Sequence, residues 1–471
     1  MVIKTIGHSA EDGVRQIMQL FFDINSDITV ISEFNCIGES CTSKATVFVG
    51  GQEAQGEFSC IKQIKIERER TDIIKKAVFR ACKRLSNMPT PWGVSTGIRP
   101  AKTARMLLDE NAADDEILSF MREELWVSDE KARLSLAVAK QEKKILDNRL
   151  NDGVSLYIGV PFCPTRCAYC SFISQATKHN EKYIEPYVSA LLLEIEAVGK
   201  LAEEYGFKAE TIYFGGGTPT VLSPSALDRV IKQVKKCFDI SKLREFTVEA
   251  GRPDTFSEEM LDMLYENKVQ RISINPQTMN QKTLDLIGRK HTTEETIQAF
   301  EMAKKYNFSI NADLIAGLPE ETVKDFEYTL NELLKLSPDA VTVHTMYLKR
   351  AARLIDDFEK YRFTSQGASM MQYANEKLTE CGFNPYYMYK QRNTLGNLEN
   401  VAFCRENHEC LYNIYIMEEI HTVLAMGGGA STKMVKGDKI ERIFNPKDAC
   451  DYIKRIDEII EKKREGLKFL K

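Results

Sequence analysis

Three cysteines within eight residues, Cys163, Cys167 and Cys170, are the part of this sequence best suited to chemistry. Their spacing is Cys-x3-Cys-x2-Cys, and an apolar, β-branched run over 156–160 leads into them. A strand ending in a tight loop would aim three thiolates at one point. Structural zinc takes four protein ligands, and iron–sulfur clusters are held by cysteine thiolates, usually four. Three thiolates leave one metal corner open, and an open corner is where a small molecule can bind and be activated. Buried small cysteines would explain the composition but not the clustering. A zinc site needs a fourth ligand, and the nearest candidate, His179, lies in a polar stretch.

The elements that must position this loop are legible on either side of it. From Ser155 onward, strand-like runs alternate with helical patterns of ten or more residues, which implies parallel βαβ units. Strands read at 155–162, 210–216, 245–251, 271–276, 309–316 and 340–347, with helices near 181–205, 223–237, 257–267, 292–306 and 321–335. Six units are too few for a closed eight-stranded barrel. The expected architecture is α/β, a partial, open (β/α)6 barrel with its functional groups at the C-terminal strand ends. The cysteine loop sits at such an end. Gly215-Gly216-Gly217-Thr218-Pro219-Thr220 follows the second strand, and glycines let backbone approach a ligand and expose N–H groups. Glu249, Gln277, Arg289 and Asp313 stand by later strand ends. Singly each reads as an ordinary polar residue; as a set they would line one pocket.

Residues 1–150 read as an N-terminal α+β domain with a helical linker. Strand-like runs occur at 27–31, 45–49 and 63–67, and a helical pattern at 72–85. Cys36, Cys41 and Cys60 have no tight ligand spacing, so ordinary burial is the expectation for each. The segment 89–100, with three prolines, two glycines and Trp92, reads as an irregular packed connector carrying Arg99. Asn151-Asp152-Gly153 is a turn and a domain boundary, giving 151–365 for the barrel and 366–471 for a C-terminal α+β extension. There, helical patterns near 367–381 and 446–463 flank strand-like and glycine-rich pieces. Tyr386-Tyr387-Met388-Tyr389 reads as a packed strand, and Cys404-x3-His408-x1-Cys410 as coincidence.

Composition narrows the function classes. The formal net charge of −4 offers no basic excess for nucleic acid. No stretch approaches the ~20 apolar residues that span a bilayer, and Met1-Val2-Ile3-Lys4 shows no signal region. Twelve cysteines in 471 residues do not read as a disulfide scaffold, which belongs to small secreted domains. The expectation is reduced cysteines in a cytoplasmic protein.

Taken together, 156–170, 215–220, Glu249, Asn275-Pro276-Gln277-Thr278, Ile287-Gly288-Arg289 and 313–319 resemble the HemN/HemW subfamily of radical S-adenosylmethionine (SAM) proteins. The resemblance covers roughly 155–350, with weaker echoes at 396–400 and 427–431. The segment Thr96-Gly97-Ile98-Arg99-Pro100 points to the HemZ-type branch. The resemblance implies that Cys163, Cys167 and Cys170 ligate a 4Fe–4S cluster whose fourth iron is chelated by SAM. It implies SAM-contacting roles for Tyr157, Phe162, Tyr169, Gly216, Gly217, Thr218, Glu249, Gln277, Arg289, Asp313 and Ile315. It further implies an electron donor of the flavodoxin or ferredoxin kind and cleavage of SAM to methionine and a 5′-deoxyadenosyl radical. The implied activity is oxygen-independent conversion of two propionates of coproporphyrinogen III to vinyls, giving protoporphyrinogen IX. The alternatives are a heme-binding chaperone of the HemW type or a radical heme-modifying enzyme. Two positions depart from the oxidase pattern. Gly159 stands where the oxidase has histidine, and Phe172 where it has a further cysteine. Without that histidine, Arg99 and the 386–389 stretch are the candidates for contacting substrate.

Overall fold

A computed structural model describes residues 1–23, 26–64, 67–170, 175–347, 366–391 and 398–471. The chain forms two compact units, Met1–Ala139 with Lys390–Asn397, and Lys140–Tyr389 with Leu398–Lys471.

In the first unit, β1 (Val2–Ile6), β2 (Ile28–Ile37), β3 (Ser40–Val49) and β4 (Gln52–Ile61) form one sheet in that order. β1 runs parallel to β2 and the rest is antiparallel. Alternation puts Ile28, Val30, Cys41, Ala45 and Val47 on one face, where α1 (Glu11–Phe21) and α2 (Glu67–Leu85) bring Val14, Ile17, Met18, Ile74 and Val78. Two expectations are corrected here. Cys36 and Cys41, opposite each other across β2 and β3, form a disulfide rather than lying as separate buried thiols. The strand expected at 63–67 is replaced at Glu67 by the start of α2; residues 65–66 lie outside the described ones. β1 and β4 were not apparent in the sequence because both are edge strands whose exposed positions, Val2 and Ile6 among them, break the inside–outside alternation of polarity. Trp92 is buried in the 89–100 segment, with the Lys390 ammonium 5.2 Å from its ring, as suits a packed connector.

The second unit is built on one sheet of eleven strands. In chain order these are β5 (Gly153–Val160), β6 (Lys208–Gly216), β7 (Glu245–Val248), β8 (Arg271–Ser273), β9 (Ser309–Ala316), β10 (Ala340–Thr345), β11 (Asn384–Lys390), β12 (Glu399–Cys404), β13 (Thr422–Gly427), β14 (Ser431–Lys436) and β15 (Lys439–Phe444). Their spatial order is β11-β12-β10-β9-β8-β7-β6-β5-β13-β14-β15. The six strands β5 to β10 are mutually parallel, as the alternation predicts, and the barrel they begin is not closed. β13 adds a parallel strand beside β5, and β12 pairs antiparallel with β10.

The crossover helices are α3 (Ile184–Glu204), α4 (Pro224–Cys237), α5 (Glu258–Glu266), α6 (Thr293–Ala303) and α7 (Val323–Lys335). Several begin on a side-chain cap. Ser223 and Ser257 accept from backbone N–H groups, while Thr292 with Glu295 and Thr322 with Asp325 form reciprocal capping boxes. Because the six strands are parallel, their C-terminal ends open on the same side. Among the described residues no helix is long and apolar enough to cross a membrane.

The opposite end of the barrel is closed by a buried polar cluster. Glu210 on β6 accepts from Arg244 (2.7 Å), the Tyr415 hydroxyl (2.7 Å) and the Leu150 N–H (3.0 Å). His421 lies 3.2 Å away and touches Ser155 through its other nitrogen at 3.1 Å. Burial alone would raise the Glu210 carboxyl, but these four partners outweigh it and hold it at about 2. The stability it lends is full above the ordinary carboxyl value of about 4.5 and is lost as pH falls from there through about 2. We expect Glu210→Ala to lower stability at neutral pH by roughly 3–5 kcal/mol, the cost of orphaning a buried partner. Glu210→Gln should flatten the acid limb of stability in urea titrations between about pH 5 and pH 2.

Candidate functional site

β5 delivers Tyr157 and Gly159 toward the open end and then hands the chain to the cysteine loop. Phe162 and Cys163 continue as a short strand paired with Gln175–Ala176. Inside the loop the Cys170 N–H bonds the Cys167 carbonyl (3.2 Å), and the Ala168 N–H is anchored on the Ile287 carbonyl (2.9 Å). Cys163 Sγ lies 3.5 Å from the Thr218 hydroxyl. Cys167 is buried, and two guanidiniums reach it: Arg252 Nη1 and Arg289 Nη1 each stand 3.8 Å from its Sγ. Arg252 is fixed by a two-pronged pair with Asp254 at 2.8 and 2.7 Å. Arg289 donates to the Gly251 and Asn275 carbonyls and to the Tyr169 hydroxyl. Among the described residues no three His, Cys, Asp or Glu side chains form a preassembled metal-ligand group.

The glycine loop after β6 is locked onto the cysteine loop by main chain. The Gly217 and Thr218 N–H groups each donate at 2.7 Å, to the Val160 and Phe162 carbonyls. A Cβ on Gly217 would stand 2.3 Å from the Phe162 oxygen, so only glycine permits this approach. The Phe162 ring is fully buried and packs edge-on against Tyr187 of α3, 5.2 Å between centroids.

Acidic groups gather on the next strand ends. Glu249 follows β7 and accepts from the Tyr213 hydroxyl at 2.5 Å. Burial lifts its carboxyl to about 7, with Asp313 adding to the rise against that bond. Asp313 on β9 is also pushed up by burial, but His344 and Asn311 outweigh this and hold it below the usual range. Gln277 is buried with a left-handed backbone (φ +69°); its N–H bonds the Asp313 carbonyl and its own carbonyl takes the Ile315 N–H. Such strained, non-glycine backbone is over-represented at functional sites. Ile315 is buried beside it. Tyr157, Tyr213 and Tyr412 stack within the barrel, the last from α8 (Leu411–Glu418), with Tyr213 and Tyr412 4.5 Å apart.

Sequence reasoning therefore names both loops and the acidic strand ends, and the structure brings them to the open end of one sheet. It missed Arg252, Tyr213, Tyr412 and His344. Tyr213 was findable, since it precedes Gly215 by two residues as Tyr157 precedes Gly159, which puts both rings on the same side. Tyr412 arrives from a helix far along the chain and left no signal. Arg99 belongs to the first unit, and Phe172 lies outside the described residues. Cys404 and Cys410 are buried in the core around Tyr386 and Tyr387, and His408 bonds Ser309 instead.

Comparison with known proteins places these features in a family. The profile of the radical SAM superfamily matches residues 157–333. The oxygen-independent coproporphyrinogen-III oxidase-like protein HemZ of Bacillus subtilis is 39% identical over 380 residues, covering 79% of this chain and 76% of that protein. An oxygen-independent coproporphyrinogen III oxidase of Cereibacter sphaeroides is 28% identical over 65% of this chain and 67% of its own length. The heme chaperone HemW of Lactococcus lactis is 32% identical over 49% of this chain and 60% of its own length. Among solved structures, HemN of Escherichia coli, described as a coproporphyrinogen III oxidase and radical SAM enzyme, aligns with a TM-score of 0.54. It is 25% identical, over 67% of this chain and 72% of that one.

The raised Glu249 carboxyl has a measurable consequence. Because its folded value of about 7 exceeds the ordinary 4.5, ionising it costs stability as pH rises through that window. Glu249→Gln should melt a few degrees above the parent at pH 8, and the gap should close toward pH 5, in scanning calorimetry of ligand-free protein.

Proposed function

Because the chain belongs to the radical SAM superfamily, in the family of oxygen-independent coproporphyrinogen III oxidase-like proteins, we propose that it is a tetrapyrrole enzyme that converts propionate side chains to vinyls without oxygen. The observation that carries the reading is the cysteine loop clamped by the glycine loop, with guanidiniums on its buried thiol and carboxylates on the neighbouring strand ends.

The cofactors of the family are a 4Fe–4S cluster and SAM, and the residues present fit both. Three thiols on one loop match a three-cysteine donor set. Arg252 and Arg289 put positive charge beside Cys167, as an anionic cluster requires. The Asn275 Oδ1 and Arg289 Nε atoms are buried without a partner, leaving polar capacity for a ligand. When bound, the pair supplies a 5′-deoxyadenosyl radical that abstracts a hydrogen atom. Cys163, Cys167 and Cys170 would hold the cluster. Glu249 and Asp313 would accept from the ammonium and hydroxyl groups of SAM, while Gly216, Gly217 and Thr218 offer close main chain. Tyr157, Tyr213 and Tyr412 form an apolar floor that excludes water from the barrel side. The electron donor in this reading is a flavodoxin or ferredoxin.

The substrate in this reading is coproporphyrinogen III, the reduced tetrapyrrole named in the oxidase relatives. Each of two propionates would give up a β-hydrogen atom to the 5′-deoxyadenosyl radical, then release CO2 and pass one electron to a one-electron acceptor, leaving a vinyl group; done twice, this gives protoporphyrinogen IX. Gly159 favours a second reading, a heme-binding chaperone, because it offers no side chain at a strand end that borders the site.

Two outcomes follow. Anaerobically reconstituted parent protein should hold about one 4Fe–4S cluster per chain, and Cys167→Ala should lose most of that iron with its fold intact by circular dichroism. Incubation with reductant, SAM and coproporphyrinogen III should give sequential loss of two CO2 with matching 5′-deoxyadenosine by mass spectrometry. Stable heme binding with no turnover, by protein whose cluster is loaded, would overturn the enzyme reading in favour of the chaperone.

A further inference from the structure

On the β9–β11 side of the barrel, three side chains from three strands form one directed chain. Tyr389 on β11 has its hydroxyl 3.3 Å from His344 Nδ1, and His344 Nε2 on β10 stands 3.8 Å from Asp313 Oδ2 on β9. The remaining oxygen of Asp313 is occupied, Oδ1 accepting from Asn311 Nδ2 at 2.8 Å, and Asn311 is itself held by the Thr342 hydroxyl at 3.2 Å. The chemistry gives the chain a direction. In the neutral ring a proton on Nε2 would face the carboxylate, which only accepts, across 3.8 Å, an electrostatic contact longer than a hydrogen bond, and Nδ1 would accept from the tyrosine hydroxyl. Burial and the charge of Asp313 keep that hydroxyl protonated, and so a donor. His344 is about 30% exposed and Asp313 about 21%, so both remain open to a ligand in the barrel.

Asp313 needs such a device. It is packed in low dielectric with the Glu249 carboxyl near enough to feel its charge, and Tyr213 and Tyr389 are the other titratable groups facing it. Two carboxyls in one pocket oppose each other's ionisation. His344 beside Oδ2, together with Asn311 on Oδ1 and Thr342, favours the ionised carboxyl against that repulsion.

We propose that His344, set in one tautomer by Tyr389, is the positioning residue that holds Asp313 as an ionised, oriented acceptor for SAM. The proposal rests on the reading of Asp313 as a SAM contact. The ligand chemistry it serves is a hydroxyl or ammonium donor, not the metal.

The test uses the full chain, anaerobically reconstituted, with SAM affinity measured by equilibrium dialysis in the absence of reductant. His344→Phe keeps a ring and removes both nitrogens; it should weaken SAM binding about tenfold, the worth of one hydrogen bond to a charged group. His344→Gln retains an N–H that reaches the carboxylate and should recover to within about threefold of the parent. Iron content and melting temperature are followed in each variant. Parent-like affinity in His344→Phe, with Asp313→Asn clearly weakened, would overturn the role of His344 and leave the reading of Asp313 standing. Parent-like affinity in Asp313→Asn would remove that reading, and the proposal with it. Equal losses in the Phe and Gln variants would make His344 a packing residue and overturn the proposal as well.

Discussion

The candidate site depends on how closely main chain approaches main chain at three neighbouring strand ends. β13, β5 and β6 lie side by side; β13 and β6 finish in glycine runs, and β5 carries Gly159 one residue before its end. A Cβ on Gly427 would stand 2.2 Å from the Gly159 oxygen, and one on Gly217 would stand 2.3 Å from the Phe162 oxygen. No side chain can be inserted at either place without moving backbone. The cysteine loop is thus positioned by peptide groups, which have no rotamers to lose, rather than by side chains. Buried charge locks the outer member of the set: Glu194 of α3 accepts from the Gly427 N–H at 2.7 Å and from Asn445 at 2.8 Å, and pairs with Lys463 of α9 (Ile456–Leu467). A buried ion pair is weak evidence for stability, but here it fixes where a loop ends. Through it, the C-terminal helix bears on the glycine at the edge of the site.

Charge around the site is sorted by side. Arg252 and Arg289 converge on Cys167. The carboxyl groups of Glu249 and Asp313 sit on later strand ends, close enough that each affects the other's ionisation. An anionic group is favoured against the cysteines and a cationic or hydroxyl-bearing one against the carboxylates. A ligand carrying both, laid across the strand ends, would satisfy the two sides at once, whereas a lone metal ion would satisfy one. His291 is buried beneath the arginines with both ring nitrogens unpartnered, and burial with the two guanidiniums drives it down to about 3. It therefore stays neutral and adds no charge to that side.

The parallel strands and their helices were legible because a buried parallel strand is rich in apolar residues and a capped helix announces its start. β5, β6 and β9 and the Thr292 and Thr322 caps show both signals. The cysteine and glycine loops were legible because backbone approach admits few residue types. Edge strands such as β4 were not, since half their positions face solvent and carry no pattern. The Cys36–Cys41 disulfide was hidden for a different reason: its spacing reflects a two-strand register that appears only once β2 and β3 pair. Contacts such as Tyr412 on Tyr213 depend on a helix some two hundred residues downstream, and local sequence holds no trace of them.

Gly159 ties these points together. Its carbonyl accepts from the Tyr187 hydroxyl at 2.6 Å, and a Cβ there would meet the Gly428 carbonyl at 3.1 Å. That is tight, and any longer side chain would press on the loop that Glu194 and Asn445 hold. The strand end is bare because the C-terminal glycine loop occupies its margin. A Cβ at 159 would require the Gly428 carbonyl to give by a few tenths of an ångström, so the strand end and the C-terminal glycine loop constrain each other directly. Polar side chains are instead found toward the other end of the sheet, where Tyr389 and His344 meet on neighbouring elements of the β9–β11 side.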